Sequence, residues 1–162
     1  MKRIMVLGAP GSGKTVLSKR LGEVLGLPVY HLDALMWEEN WVEKPLHEME
    51  KIQNGIIFRD SWIADGYYHK IADRRFERAD TVIILDIPRC TCILRALRRS
   101  RERDRSDIAL NCSNKIDMGF LKYIWNYKKQ QLREILAKVE SCGAEVIVLR
   151  KTEEIDAFIM KY

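Results

Sequence analysis

The feature that most constrains this 162-residue chain is a glycine-rich loop that begins at Gly8, directly after a short apolar run. Its spacing is Gly8-x-x-x-x-Gly13-Lys14-Thr15, with a further glycine at Gly11. Glycines let the backbone turn tightly and bring its N–H groups against an anion with no side chain between them. A helix that begins near Lys14 would add the positive end of its dipole. This P-loop pattern predicts a phosphate-binding site between a first strand and a first helix.

Each residue of the loop has a predicted part in binding Mg-ATP. Lys14 is expected to reach the β- and γ-phosphates and to act in catalysis, and the Thr15 hydroxyl is expected to bind Mg²⁺. The alternative is a glycine turn beside a helix that holds no ligand. The apolar strand before the loop and the amphipathic helix after it favour the nucleotide. We therefore predict ATP and Mg²⁺ as ligands, with nucleotide contacts from Gly8, Ala9, Pro10, Gly11, Ser12, Gly13, Lys14 and Thr15.

Alternating strand and helix patterns predict the fold class. Apolar, β-branched segments bounded by turn residues favour buried strands at residues 3–7, 29–32, 62–64, 81–85 and 145–149. Helical patterns fall at residues 15–25, 46–58, 91–103, 119–139 and 153–160. Because strands and helices alternate without a linker or repeat, we predict one α/β domain over residues 1–162, with a parallel sheet covered on both faces. Ligands of such a sheet bind beyond the carboxyl ends of its strands.

Composition and cysteine usage indicate a cytoplasmic protein with no membrane partner. No apolar run approaches the ~20 residues that span a bilayer, and the apolar start stops at Gly8, short of a signal peptide. No histidine lies near any cysteine and no paired C-x-x-C occurs, so reduced thiols are favoured over a zinc site. The cysteines are Cys90, Cys92, Cys112 and Cys142.

Charge is distributed unevenly along the chain. Residues 89–105 hold seven arginines and two acidic residues, a net +5 that equals the net charge of the whole protein. Residues 33–51 hold six acidic residues and two lysines. Such asymmetry predicts that a polyanion binds at one place.

The loop letters Gly-Ala-Pro-Gly-Ser-Gly-Lys-Thr resemble those of adenylate kinases and related small-molecule kinases. Later motifs are similar to the family of DNA topology modulation proteins, over a match from Ile4 to about Phe158. The resemblance implies a P-loop NTPase three-layer sandwich, with a five-stranded parallel sheet in the order 2-3-1-4-5 and a short lid at about residues 100–118. The motifs are His31-Leu32-Asp33, Trp41-Val42-x-x-Pro45, Trp62-Ile63-Ala64-Asp65-Gly66-Tyr67-Tyr68, Arg78-Ala79-Asp80-Thr81 and Leu85-Asp86-Ile87-Pro88-Arg89.

Two arginines before the expected lid are candidates for nucleotide binding. Arg95-x-x-x-Arg99 lies where the kinases that this chain resembles carry an Arg-x-x-x-Arg pair. The resemblance implies that Arg95 lies against the adenine and that Arg99 reaches the phosphates and acts in catalysis. On a helix the two share one face, and guanidinium groups suit both stacking and phosphate contacts. The alternative is a solvated arginine surface. Further candidates for a phosphate contact from the lid are Arg98, Arg101, Arg103 and Arg105.

Acidic residues follow three of the predicted strands. Asp33 follows the second strand and is predicted to be catalytic, because a carboxylate there can accept the proton of an acceptor hydroxyl. Its alternative role is a helix N-cap. Asp65 and Asp86 end the third and fourth strands and are rivals for the acid that holds Mg²⁺ through water. The resemblance places that acid before a glycine, which favours Asp65.

The acceptor side carries weaker signals. No arginine occurs between Arg20 and Arg59, where a nucleoside monophosphate kinase would hold its acceptor's phosphate. A hydroxyl compound is therefore at least as good a candidate for the acceptor as AMP. Arg74, Arg75 and Arg78 could bind an anion or pair with Asp73, Glu77 and Asp80. The aromatic pairs Trp37 with Trp41 and Tyr67 with Tyr68 could wall a pocket or only pack, while Phe120, Tyr123, Ile124 and Tyr127 favour core.

These patterns predict an adenylate-kinase-like P-loop kinase that transfers the γ-phosphoryl group of Mg-ATP to an unidentified small-molecule acceptor. The alternative is an ATP-binding, nucleic-acid-associated regulator without such an acceptor, which the arginine run supports. Nucleic acid is not the favoured partner, because no helix-turn-helix, RNA-recognition or zinc-finger pattern is present. Residues Asn114-Lys115-Ile116-Asp117 spell a guanine-recognition motif. No apolar strand precedes them, so a GTPase is the weakest hypothesis.

Overall fold

The computed structural model describes residues 1–100 and 116–162, apart from the side chain of Trp41. Most of the expected lid at residues 100–118 therefore lies outside the described residues. The same holds for three candidate arginines and one cysteine of that segment: Arg101, Arg103, Arg105 and Cys112.

Five strands form one parallel sheet in the order β2-β3-β1-β4-β5. Every residue of β3 and β4 is buried, and since successive side chains point to opposite faces, helices must cover both faces of the sheet. The predicted fold class and strand order are confirmed. The strands are β1 (Arg3–Gly8), β2 (Val29–His31), β3 (Trp62–Asp65), β4 (Thr81–Leu85) and β5 (Glu145–Leu149).

Helices connect the strands as the sequence pattern predicts, with shifted ends. The predicted helix at residues 91–103 is observed from Arg89 to Arg99, because Pro88 sets the backbone at its start. The second strand ends at His31, one residue earlier than expected, because Leu32 opens a short helix. The helices are α1 (Lys14–Leu25), α2 (Leu32–Leu35), α3 (Leu46–Ile57), α4 (Ala72–Arg78), α5 (Arg89–Arg99), α6 (Met118–Val139) and α7 (Thr152–Ile159), with 3₁₀ turns at Glu39–Trp41 and His69–Ile71.

Two helices were not anticipated. The segment that forms α4 is highly charged and has no apolar stripe for a pattern to detect, yet Ala72, Arg75 and Phe76 are buried. Helix α2 has only four residues, which is too short to give a period. Tertiary packing, and not intrinsic pattern, therefore sets the connections after β2 and β3.

One prediction about aromatic residues is wrong in part. Trp37 lies in an isolated antiparallel bridge with Glu43, and whether it walls a pocket stays a prediction. In α6, Ile124 and Tyr127 are buried as expected, but Phe120 and Tyr123 are 38% and 37% exposed. The buried face of α6 begins one turn later than the apolar pattern suggests.

Within residues 1–100 and 116–162, no helix is both long enough and apolar enough to cross a bilayer. Cys90, Cys92 and Cys142 are free thiols. The same described ranges contain no cluster of three metal-ligating side chains.

Asp80 joins three strands at the amino edge of the sheet. Its carboxylate accepts the backbone N–H groups of Lys2 and Arg3 at 2.9 to 3.1 Å and the Thr81 hydroxyl at 2.9 Å. Its backbone donates to Arg3 and accepts from Glu145 at the start of β5. Partial burial acts to raise the pKa of Asp80, but the hydrogen bonds from Thr81, Arg3 and Lys2 outweigh it, so the pKa is lowered.

We expect Asp80→Ala to lower the free energy of unfolding at pH 7 by about 1–3 kcal/mol, because it leaves two strand-end amides without their charged acceptor. A folded-state pKa below the unfolded value, about 3.9 for an aspartate, stabilises the protein above that pH. The difference between wild type and variant should therefore shrink as the pH falls below about 4. Urea unfolding at several pH values measures this difference in the free energy of unfolding. Asp60→Ala, at an exposed bend, is the control; an equal loss in both variants would contradict the role of Asp80.

Candidate phosphate and acceptor site

The phosphate loop leaves β1 at Gly8 and enters α1 at Lys14. Gly11 and Gly13 have φ angles of 80° and 102°, which side chains disfavour. A Cβ atom on Gly11 would lie 2.2 Å from the carbonyl oxygen of Cys92 in α5. Only glycine fits at position 11, between the loop and α5. The predicted tight turn is observed, and the close approach of α5 requires a glycine in it.

The polar groups of the loop converge at the start of α1. Lys14 folds back so that its Nζ donates to the Ala9 carbonyl at 3.2 Å, which places its charge over the loop. No side chain caps the helix at Gly13, and the first N–H groups of a helix have no intrahelical acceptor. Thr15 lies in the same first turn and is partly exposed. The donors, the positive dipole end and the lysine together suit an anion.

The residues of the loop fit a nucleotide's phosphates with bound Mg²⁺. The glycine backbone forms a cradle that a Cβ at Gly11 would fill. The Ser12 hydroxyl is buried and, among the described residues, has no hydrogen-bond partner. Thr15 supplies a hydroxyl of the kind that Mg²⁺ accepts beside phosphate oxygens. The loop thus has donors, space and one hydroxyl oxygen of a kind that suits Mg²⁺.

Arg95 touches both the phosphate loop and the segment after β5. Its Nη2 donates to Thr152 Oγ1 at 2.8 Å, and its Nη1 donates to the Ser12 carbonyl at 3.4 Å. Arg99 lies one turn later, as the last residue of α5, and is half-buried. Arg98 is exposed. Both predicted nucleotide-binding arginines therefore lie on the helix that packs against the loop, and their contact with a nucleotide stays a prediction.

Asp65 and Asp86, the two rival metal-binding acids, have different surroundings. Asp65 is buried at the end of β3, and His31 Nδ1 donates to its Oδ2 at 2.7 Å from the paired position of β2. Asp86 accepts from Lys128 Nζ at 2.9 Å and lies 3.9 Å from Arg150 Nε. Because two cations already compensate Asp86, it has less to offer a metal ion. The hydrogen bond from His31 occupies one of the two carboxylate oxygens of Asp65. Asp65 is therefore a better candidate than Asp86 for the acid that holds Mg²⁺.

Asp33 lies in the first turn of α2, immediately beyond β2. The N-cap of α2 is His31, so the alternative role of Asp33 as a helix cap is wrong. The Asp33 side chain is exposed and accepts a hydrogen bond from the Tyr68 hydroxyl at 2.9 Å. Tyr68 in turn accepts from Trp37 Nε1 at 2.6 Å. Sequence reasoning did not foresee these bonds, because 31 to 35 residues separate the partners.

Within the described residues, the three arginines after β3 make no ion pair with Asp73, Glu77 or Asp80, and their anticipated binding of an anion stays a prediction. Arg75 is buried and donates to the Tyr67 carbonyl, with burial lowering its pKa to about 10. Arg74 donates to Asn54, and Arg78 donates to the Ile57 carbonyl. Two of the three expected ion-pair partners bond elsewhere: Asp73 to Lys138 and Asp80 to backbone amides.

The acidic residue of the possible guanine-recognition motif caps a helix. Asp117 is the N-cap of α6, where its Oδ1 accepts the Phe120 amide at 2.7 Å. The other two polar residues of the motif, Asn114 and Lys115, lie outside the described residues. A capping carboxylate stabilises the helix start and has no need of a ligand to explain it.

Solved structures of small-molecule kinases share this fold. A shikimate kinase from Acinetobacter baumannii, in complex with shikimate, is 12% identical with a TM-score of 0.67 over 99% of this chain and 90% of that one. A shikimate kinase from Bacteroides thetaiotaomicron is 16% identical with a TM-score of 0.58, over 99% and 95%. A deoxyadenosine kinase from M. mycoides with bound dCTP is 14% identical with a TM-score of 0.51, over 98% and 96%.

No protein-family model matches the sequence, and no curated protein matches it significantly. The structural likeness establishes the α/β P-loop kinase fold. Sequence identities this low do not identify the site residues of this chain.

We expect Gly11→Ala to disrupt nucleotide binding. The positive φ alone costs an alanine about 1–2 kcal/mol, and the collision with the Cys92 carbonyl must also displace the loop. The dissociation constant for Mg-ATP, measured by calorimetry on folded protein, should rise about tenfold or more. Gly55→Ala is the matched control, because its Cβ would meet nothing within 4 Å. Unchanged affinity in a folded Gly11→Ala variant would show that the loop does not hold the phosphates.

Proposed function

We propose that this protein is a phosphotransferase that moves the γ-phosphoryl group of Mg-ATP to a hydroxyl group of a small-molecule acceptor. The observation that carries the proposal is the placement of two kinds of group at one edge of the sheet. The phosphate loop with Lys14 follows β1, and the exposed carboxylate of Asp33 follows β2, with β3 between them. Parallel strands bring their carboxyl ends to the same edge, where ligands of this architecture bind.

The loop would bind and position the nucleotide. Its backbone N–H groups and the Lys14 ammonium would hold the phosphate oxygens and stabilise negative charge as it develops. Thr15, and Asp65 through water, would hold Mg²⁺, which supplies further neutralisation of charge between the phosphates. Arg95 and Arg99 would complete the nucleotide site from α5. Such a site accelerates transfer by positioning and electrostatics.

Asp33 would accept the proton of the acceptor hydroxyl. One of its two carboxylate oxygens bonds Tyr68, so Oδ2 is the atom for that proton. A general base of this kind contributes about 10²–10⁴-fold to the rate. The kinases with a similar fold include shikimate kinases and a deoxyadenosine kinase, which supports a small hydroxyl compound as the class of acceptor.

Charges near Asp33 favour an uncharged acceptor. Six acidic residues lie between positions 33 and 51, and they would repel a dianionic phosphate. Two lysines of this side are engaged: Lys44 lies 3.7 Å from Glu38, and Lys70 lies 2.6 Å from Glu43. A sugar-like or nucleoside-like hydroxyl compound fits these surroundings better than a nucleotide does. The resemblance to DNA topology modulation proteins stays a prediction, and no contact described above favours nucleic acid.

A screen of nucleosides, sugars and small hydroxyl compounds for acceptor-stimulated ADP release tests the activity. Lys14→Ala should abolish turnover and weaken ATP binding, because the phosphates lose their only loop ammonium. Lys51→Ala, an exposed lysine of α3, should behave as wild type. If no acceptor stimulates ADP release although Mg-ATP binds, the kinase proposal is wrong and a nucleotide-binding switch takes its place.

Asp33→Asn should leave ATP affinity unchanged and lower acceptor-dependent turnover by about 10²–10⁴-fold. The amide keeps the shape of the carboxyl but accepts a proton poorly, so the loss belongs to proton transfer. Asp60→Asn is the control for the same change at an exposed position outside the site. Wild-type turnover in Asp33→Asn would remove Asp33 from the mechanism and leave the loop assignment intact.

A further inference from the structure

Three side chains beside the acceptor edge form a continuous chain of hydrogen bonds. The Trp37 indole lies 2.6 Å from the Tyr68 hydroxyl, and that hydroxyl lies 2.9 Å from Asp33 Oδ1. The residues come from three segments: the bridge after α2, the loop after β3, and α2 itself. Their meeting is therefore a property of the tertiary fold.

The direction of the chain follows from the chemistry of the groups. An indole N–H can only donate, so the Tyr68 oxygen must accept from Trp37. The Tyr68 proton is then directed to Asp33, whose ionised carboxylate can only accept. Hydrogen bonds arranged head to tail in this way strengthen one another. Asp33 Oδ1 thus accepts the Tyr68 proton, and this hydrogen bond fixes the orientation of the Asp33 carboxyl group.

The backbone of Tyr68 is held in a conformation that a tyrosine avoids. Its φ of 48° makes it one of two non-glycine residues with positive φ in the described parts of the chain, the other being Asn40. Gly66, two residues earlier, has φ of 114°, and a Cβ there would lie 3.3 Å from the Tyr68 ring. A small residue at 66 lets the ring lie against the backbone. Backbone strain at such a residue persists only where surrounding contacts hold it, and it clusters at active sites.

Burial keeps the Tyr68 proton in place. Removal from water, followed by the nearby negative charge of Asp33, raises the pKa of Tyr68 far above its usual value. The hydroxyl therefore remains protonated, and a donor, around neutral pH. Tyr67, its neighbour, is buried and donates instead to Glu134 of α6 at 2.6 Å. The two adjacent tyrosines therefore bond different partners.

We propose that Tyr68, supported by Trp37, is a positioning residue that fixes the Asp33 carboxylate so that Oδ2 faces the acceptor hydroxyl. This inference rests on the proposed function for its catalytic meaning, while the hydrogen-bond chain itself can be tested without any acceptor. The positive-φ backbone of Tyr68 brings its hydroxyl to Asp33, and the Trp37 indole donates to that hydroxyl. Tyr68 touches Asp33 and needs no contact with the reacting atoms.

The first experiment tests the chain in the protein without ligands. The four tryptophans give indole N–H signals in a ¹⁵N–¹H correlation spectrum, and Trp37→Phe identifies the signal of Trp37 by its loss. Tyr68→Phe should move that signal upfield, because the indole loses its acceptor. Tyr67→Phe, which removes one hydroxyl from the neighbouring ring, should leave it in place. A Trp37 signal that does not respond to Tyr68→Phe would overturn the chain, whatever the enzyme does.

The second experiment tests the positioning role once the screen has identified an acceptor. Tyr68→Phe should lower kcat about tenfold, the effect of one lost hydrogen bond to a charged group, with KM for ATP unchanged. Tyr67→Phe should retain wild-type kcat. In an Asp33→Asn background, Tyr68→Phe should have no further effect, because the carboxylate that it positions is already gone. Trp37→Phe, which keeps the bond from Tyr68 to Asp33, should cause a smaller loss.

Each kinetic outcome decides the proposal. Wild-type kcat in Tyr68→Phe, or losses that multiply independently with those of Asp33→Asn, would overturn the positioning role. If Tyr68→Phe proves too unstable to assay, Trp37→Phe carries the test, and wild-type kcat there together with an unmoved Tyr68 ring signal would overturn the proposal. Failure of the acceptor screen would refute the proposed function and leave the spectroscopic result standing.

Discussion

The contact between the phosphate loop and α5 is the constraint on which the rest of the site depends. Gly11 approaches the Cys92 carbonyl so closely that a methyl group would collide with it. This contact seats the first turns of α5 on the loop, and from there Arg95 bonds both Ser12 and Thr152. One steric requirement thus aligns the loop, the arginine helix and the segment after β5. The buried Cys92, whose pKa burial raises, is a packing residue and not a reactive thiol.

The three carboxylates at the sheet edge differ in the side chains that bond to them. Among the described residues, Asp86 pairs with Lys128 and Arg150, Asp65 bonds His31, and Asp33 accepts from the neutral hydroxyl of Tyr68. Similar residues that follow three of the strands therefore have different neighbours. Cross-strand partners of this kind arise because parallel pairing brings distant segments to one edge.

The sequence was sufficient for the strands and for the loop, and insufficient for α4 and for the partners of Asp33. Strands β1 and β4 are buried on both faces and read as apolar runs, so their pattern is local. Helix α4 is charged along its length, and its buried Arg75 looks like a surface residue in the sequence. No local pattern marks that arginine as internal, because its burial depends on α4 packing against elements distant in the chain. Phe120 and Tyr123 show the converse, since apolar side chains on α6 remain over a third exposed.

What the sequence alone determined is where the five strands and the phosphate loop lie, because each of these segments is marked by residues within a few positions of one another. Glycine spacing dictates the turn, and apolar runs dictate the buried strands. Only the tertiary structure decided which acid stands beside which group. The pairing of His31 with Asp65 follows from the register of β2 with β3, and the chain from Trp37 through Tyr68 to Asp33 follows from a left-handed residue after β3. Both depend on long-range packing, which local propensity does not encode.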